Sequence, residues 1–387
     1  MVSLLHGLKI LDLSRILAGP WATQLLADYG AEVIKVERPE VGDDTRHWGP
    51  PWVDLEGEQA AAYFTAANRN KLSLTVDIQS EVGQSKIKAM VKDCDVFVEN
   101  FKVGDLKKHG LDYESLKQIN PSLIYCSITG FGQTGAMATR PGYDAMIQAT
   151  GGLMSITGAP DSAKGEPTKV GVAVADLMTG MYAANAILAA IIYRQQSGEG
   201  QHIDVSLFDC QLAMLANQAA NFLATNVSPR RMGNAHPNIV PYQTFECADG
   251  FLMIAVGNDR QFSRLCNVLA LDGIAQSAKY ASNQQRVENR AELIALLSQS
   301  ILQFKRDELI ALLENQQVPC GPVNSVGEAL TSQQSIDRGM VREYLKAEDI
   351  NPSDSKSNQY IANPVKFSGV HFDNAKRPPK LGESNDD

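Results

Sequence analysis

GLKILDLSRILAGPWATQLLADYGAEVIKVE, residues 7–37, holds the pattern on which the fold turns. Leu8 to Leu13 is a short apolar run and reads as a buried strand. Pro20 suits the first turn of a helix, where its missing N–H would have no partner in any case. That helix runs to about Tyr29, and Gly30 stops it. Val33 to Val36 then reads as a second strand, followed by Glu37 and Arg38. Further along come strands at Leu72 to Ile78, Val96 to Val98 and Leu123 to Ile128, with a helix from about Val82 to Val91. Strand–helix alternation of this kind predicts an α/β architecture, a parallel sheet covered by helices.

Asp176 to Gln195 is apolar almost all round and predicts a buried helix, ended by Gly198 and Gly200. A strand at His202 to Val205 and a helix over about Leu207 to Leu223 follow. Residues 1–226 therefore read as one large domain. Beyond Asn226 the chain turns loop-like in VSPRRMGNAHPNIVP, then gives a hairpin: YQTFEC, Ala248-Asp249-Gly250, FLMIAVG. Helices near Gln261 to Leu269, Arg290 to Leu302 and Arg306 to Asn315 complete a smaller α+β domain at 227–325. Residues 326–387 form a C-terminal segment. From about Ile350 it is rich in Asn, Ser, Pro and Lys, with strand-like pieces at Pro364 to Ser368 and Val370 to Phe372.

The formal net charge is −9, so nucleic acid and anionic membranes are poor partners. An anionic ligand must be met by a local cluster of cations or by backbone N–H groups. The six cysteines and six histidines show no metal-ligand spacing, and no metal is expected. Reduced cysteines and the absence of a basic-then-apolar start in MVSLLHGLKILDL point to the cytoplasm. The longest apolar stretch, about Met181 to Tyr193, reads as too short and Ala-rich to span a bilayer. The loop SRILAGP has one glycine where a dinucleotide fingerprint needs three, which argues against NAD(P).

Two carboxylates stand out. Asp176 sits where an apolar run meets the long helix, and Asp144 sits in RPGYDAMIQATGG. From the residues alone each reads first as a helix cap. A helix N-terminus also favours the ionised form, which suits a nucleophile, but an oxygen tied up in capping attacks poorly. Arg15, Arg38, Arg46, Arg69, Lys71, Lys108 and Arg140 lie near strand ends or loops, either as ligand contacts or as solvated charges and surface ion pairs. His236 is a lone loop histidine, structural or in contact with substrate.

LDLSRILAGP (11–20), GAEVIKVERP (30–39), GDDTRHWGPP (42–51), NRNKLSLTVD (68–77), DVFVENF (95–101) and YCSITGFGQTG (125–135) run in order. RPGYDAMIQATGGLMSITG (140–158), GVAVADLMTGMYAANAILAA (171–190), SGEGQHIDVSL (197–207) and VPCGPVN (318–324) continue the series. Together they resemble the family III CoA-transferases along nearly the whole chain. NRNK, YCSITGFGQTG, GNAHPNIVPYQTF and GNDRQF look closest to the succinyl-CoA:glutarate type, which acts on dicarboxylates.

The resemblance implies a Rossmann-like large domain completed by the returning C-terminal segment, a small domain, and an interlinked homodimer. Relatives usually continue past LGESNDD into a further helix. It also implies coenzyme A or acyl-CoA as substrate, a small carboxylic acid as partner substrate, and no permanent cofactor. Asp176 would be the nucleophile. It would attack the donor thioester to give a mixed anhydride and CoA thiolate. The thiolate would then attack the aspartyl carbonyl, leaving an aspartyl-CoA thioester and the free acid, and the acceptor would reverse these steps. Ile16, Leu17, Ala18, Arg38, Val76, Lys108, His109, Arg140 and Tyr143 would form the CoA pocket. Asp144 is a second candidate in the substrate site, and Arg69 or His236 would hold a distal carboxylate. Leu17 stands where the formyl-CoA enzyme has glutamine, and its glycine run is missing, so oxalate and formate are disfavoured. Tyr143 stands where α-methylacyl-CoA racemases carry a histidine base, and tyrosine is a weak base with an ordinary pKa of about 10. A racemase and a non-catalytic CoA-binding protein are the alternatives.

Overall fold

The structure, a computed structural model, describes residues 3–345, 358–372 and 374–385, and the chain divides into two compact units. The first comprises the described residues within Met1–Leu153, Lys169–Val227 and Gln333–Asp387. Its strands are β1 (Lys9–Asp12), β2 (Glu32–Glu37), β3 (Lys71–Thr75), β4 (Val96–Glu99), β5 (Ile124–Thr129) and β6 (His202–Ser206). They form one six-stranded parallel sheet in the spatial order β3-β2-β1-β4-β5-β6. The order grows one way from β1 and then the other. That reversal opens a crevice beyond the carboxyl ends of β1 and β4, the place where open α/β sheets bind ligands.

Both faces of the sheet are covered, which explains the nearly continuous apolar runs of β1, β4 and β5. On one face Ile10, Val33, Val98 and Ile128 pack with Ala22 and Leu26 of α1 (Ala18–Asp28). On the other, Leu11, Val36, Phe97 and Tyr125 pack with Ile87 and Val91 of α2 (Glu81–Val91). Three more helices matter for the site: α3 (Asp144–Thr150), α4 (Val174–Ser197) and α5 (Leu207–Met214).

Several sequence expectations need correction. The long helix α4 is not buried all round, because Met181, Tyr182, Ile192 and Tyr193 are 45–59% exposed. Nor is it short. It has 24 residues, and its most apolar window has a mean hydropathy of 1.5, enough by length and composition to cross a membrane. Its Ala175, Ala183 and Ile187 are nevertheless buried in the same core as α1. The helix expected over 207–223 breaks after α5, where Ala216 takes φ 45° and a new helix, Ala216–Thr225, begins. The pieces at 364–368 and 370–372 are irregular: Pro364 cannot donate to a ladder, and Phe367 and Phe372 pack on Tyr29 instead. The strand of this tail is Gln359–Ile361, antiparallel to Val341–Glu343. The start of the polar tail, 350–357, lies outside the described residues.

The second unit comprises Met154–Thr168 and Ser228–Ser332. The hairpin Tyr242–Cys247 and Gly250–Ala255 is joined by Cys320–Pro322 into a three-stranded antiparallel sheet. Helices Asp259–Val268, Arg290–Ile301 and Arg306–Asn315 bury Leu265, Leu297, Leu309 and Leu313 against Phe245, Leu252 and Ile254.

Candidate active site

β1 ends at Asp12, and the chain must turn at once into α1. Ser14 to Leu17 make that turn under constraint. Ile16 has φ 74°, a left-handed conformation that a β-branched residue adopts only at a cost of about 1–3 kcal/mol. Three anchors hold it. Asn100, just beyond β4, accepts the Arg15 N–H at 2.9 Å and donates to the Arg15 carbonyl at 2.7 Å. Asp43 accepts the Ile16 N–H at 3.2 Å. Lys35 donates to the Ser14 carbonyl at 3.0 Å and pairs with Asp43 at 2.8 Å, both side chains fully buried. Burial disfavours both charges, but Lys35 outweighs it and holds the Asp43 carboxyl below the usual range. The strained loop is thus fixed before any ligand arrives.

Asp176 is the third residue of α4. Among the described residues no group donates a hydrogen bond to its carboxylate. The capping task falls to Asp144, whose Oδ1 accepts the N–H groups of Ala175 at 2.8 Å and Asp176 at 3.3 Å. Gln148 steadies Asp144 by donating to Oδ2 at 2.7 Å, and accepts the Val170 N–H at 2.8 Å. The competition between capping and attack is therefore resolved by dividing the roles between two residues. Burial, with the Asp144 charge added, pushes the Asp176 pKa up to about 7. This corrects the expectation that the helix end keeps it ionised: desolvation dominates here.

Two glycine contacts set the position of this pair. A Cβ on Gly180, one turn after Asp176, would fall 2.7 Å from the Ala18 carbonyl oxygen. Gly180 thus lets α4 lie directly against the start of α1. A Cβ on Gly130 would fall 2.5 Å from the Gly142 Cα, so the loop carrying Tyr143 and Asp144 rests on the end of β5.

Asp176 and Asp144 line a cavity of about 250 Å³ together with Ile16, Leu17, Ala18, Arg140 and Tyr143. A second cavity, about 420 Å³, is lined by Arg38, Val76, Lys108 and His109. Arg15, Phe101 and Asp105 belong to both walls, so the two cavities adjoin at the sheet reversal. The geometry therefore brings every residue of the expected CoA pocket to one trough that leads to Asp176. Arg15 and Arg38 both pair with Asp44, at 2.7 and 2.6 Å, leaving one net positive charge there. Lys108 is exposed and only 3.8 Å-distant from Asp105, and Arg140 has no acidic partner among the described residues.

The other basic candidates lie elsewhere. Arg46 is buried against Glu37 at 2.7 Å, and Lys71 reaches buried Asp12 at 3.0 Å. Arg69 is spent on Asp28, donating from Nε at 2.8 Å, and lines a different cavity. The expectation that it meets a substrate carboxylate is corrected on that ground. His236 lies in the second unit, where its Nδ1 accepts the Asn238 N–H at 3.1 Å. Burial and Arg290 push its pKa below the ordinary value, so it is a poor cation at neutral pH. Sequence reasoning missed Asp43, Asn100, Gln148 and Tyr63. Asn100 was findable, since it follows a strand beside the sheet reversal. Tyr63 carried no such signal. Burial first, then the charges of Asp176 and Asp144, hold its hydroxyl pKa above the usual value.

The profile of CoA-transferase family III matches residues 5–385. The chain is 49% identical to the succinate–glutarate CoA-transferase of Agrobacterium fabrum, over 98% of this chain and 93% of the relative. It is 44% identical to the succinyl-CoA:glutarate CoA-transferase of Homo sapiens, over 98% of this chain and 84% of that one. A crystal structure of a CAIB/BAIF family protein from Brucella suis is 50% identical with a TM-score of 0.87, covering 100% of this chain and 98% of that chain. The chain belongs to CoA-transferase family III and is an enzyme of the CoA-transferase class.

The raised pKa has a kinetic consequence if Asp176 attacks as its carboxylate. Below pH 7 the ionised fraction shrinks, so kcat/KM for acyl-CoA falls about tenfold per pH unit and levels off above 7. Asp144→Asn removes a neighbouring negative charge and moves the bend to lower pH. A pH–rate profile of both enzymes checks this. A flat profile from pH 5 to 8 would contradict it.

Proposed function

We propose that this chain moves CoA between succinyl-CoA and a free dicarboxylate of glutarate's kind, with Asp176 as the covalent acyl and CoA carrier. One observation carries the reading: the Asp176 carboxylate lines the trough while Asp144 caps its helix, so its oxygens are available for attack. The names of the 49% and 44% identical relatives support the choice of acids. Arg38 and Lys108 are the phosphate partners for CoA in an otherwise acidic chain. The thioester end then reaches Asp176 past Arg15 and Phe101, which border both cavities. Each thioester formed replaces one broken, so exchange runs near thermoneutral, and the site must keep water from the anhydride. The fixed backbone at Leu17, Ala18 and Gly130 offers N–H donors for the tetrahedral oxyanions, the Ile16 N–H being held by Asp43. Arg140 supplies a cation beside Asp176.

The active unit is a homodimer of interlinked chains in the cytoplasm. The half-exposed Met181, Tyr182, Ile192 and Tyr193 on α4 offer apolar surface for a partner copy. Mixing the enzyme with succinyl-CoA and glutarate, itaconate, oxalate, carnitine or acetate, followed by mass spectrometry, tests the substrate assignment. Glutaryl-CoA is the expected major product. A preference for acetate or oxalate would overturn the dicarboxylate reading.

A further inference from the structure

The 260 Å³ cavity lined by Arg69 lies at the amino ends of the strands. Its wall includes Asp28, at the end of α1, and Asn70, directly before β3. Asp176 lies beyond the carboxyl ends of the same sheet, so this cavity is separate from the trough. The rest of its wall comes from the C-terminal segment: Arg342, Lys366, His371, Phe367 and Phe372 among them.

Among the described residues its charges are unbalanced. Asp28 is fully engaged, accepting from Arg69, from Asn70 at 2.9 Å and from Asn363 at 3.3 Å. Among the described residues, Arg342 meets carbonyls, those of Gly339 at 3.3 Å and Phe372 at 3.4 Å. Neither Arg342, Lys366 nor neighbouring Arg338 has an acidic partner among the described residues. Burial, together with the nearby Arg342 and Arg338 charges, lowers the Lys366 pKa. Like charges gathered in a chain of net charge −9 cost stability unless an anion joins them. Beside them lies an apolar floor. Phe367 and Phe372 have ring centroids 5.9 Å apart, and Tyr29 backs both at 5.7 and 6.1 Å.

We propose that this cavity is a second ligand site, which binds a small carboxylate with its charge on Arg342 and Lys366 and its hydrocarbon part on Phe367 and Phe372. Arginine suits a carboxylate by its planar fork, and the aromatic floor favours an alkyl acid over a fully solvated ion such as phosphate.

Calorimetry with hexanoate tests this on the full-length enzyme saturated with CoA, which fills the CoA part of the trough, while variants of the cavity wall separate this cavity from the acid position beside Asp176. Wild type is expected to bind one equivalent, and Arg342→Gln and Lys366→Met each to weaken binding about tenfold, the loss of one charge-assisted contact. Lys366 is exposed, so its variant remains informative if the arginine variant misfolds. Equal binding by wild type and Lys366→Met would overturn the site. Inorganic phosphate binding as tightly as hexanoate would overturn the carboxylate assignment. A crystal soaked in 4-bromobutyrate should show bromine beside Phe367 and Phe372, and bromine only near Asp176 would also refute the proposal.

Discussion

Replacing Asp176 with Asn should abolish CoA transfer, by about four orders of magnitude or more, and at the same time stabilise the protein above pH 7. The amide keeps the shape of the side chain and leaves the Asp144 cap on α4 in place, but it cannot form the anhydride or the thioester. The stability gain follows from linkage. The Asp176 pKa is about 7 in the folded chain, against an ordinary carboxyl value of 3.8. The folded state therefore holds that proton more tightly than the unfolded state. Its contribution is fully present at low pH, is lost as pH rises from about 4 to 7, and is constant above that. The neutral amide escapes this loss, worth roughly 2–4 kcal/mol at pH 8. Melting temperatures at pH 8.5 and pH 4.5 should show a higher value for the variant only at the alkaline end. An equal shift at both values would mean that the ionised carboxylate is not the source. Trading stability for a poised reactive group is common at active sites.

Gly180→Val is the second change of large effect. Every Cβ at this position meets the Ala18 carbonyl at 2.7 Å and the Trp21 side chain at 3.0–3.1 Å. Backbone cannot yield as a flexible side chain would, so α4 must move away from α1. Overpacking of this kind costs about 1–3 kcal/mol. The functional loss should be larger, on the order of a hundredfold in kcat, because misplacing a reacting group by about 1 Å is enough for that. Asp176 stands one turn before Gly180, and the loop it serves, Ile16–Ala18, is the very backbone that the new methyls strike. Steady-state kinetics with succinyl-CoA, alongside a chemical melt, separates the two effects. Wild-type kcat in a folded Gly180→Val enzyme would show that the close crossing does not place Asp176.

Much of this was legible in the sequence. Residues 7–37 gave the strand–helix–strand start, because buried parallel strands and an N-terminal proline leave strong local marks. The family resemblance of the ordered motifs implied the residues that line the trough, Asp176 among them. What local pattern could not reveal was which groups meet across the fold. Asp144 looked like a cap for its own helix, and only tertiary structure shows it capping α4 across 31 residues. For Arg69 an ion pair was one of the open readings, but its partner Asp28 could not be named because it lies 41 residues away. The half-exposed face of α4 was hidden for another reason: apolar residues all round a helix do not say whether a core or a second chain covers them. The pKa of Asp176 was misjudged because helix position is visible in sequence while desolvation is not.

The covalent role proposed for Asp176 is tested most directly by trapping. The enzyme would be incubated with succinyl-CoA, quenched with hydroxylamine, digested and read by mass spectrometry. Aspartyl thioester and anhydride both yield a hydroxamate, so the peptide holding Asp176 should carry that modification, with none formed without succinyl-CoA. An unmodified Asp176 during turnover, or a hydroxamate on Asp144 instead, would contradict the mechanism.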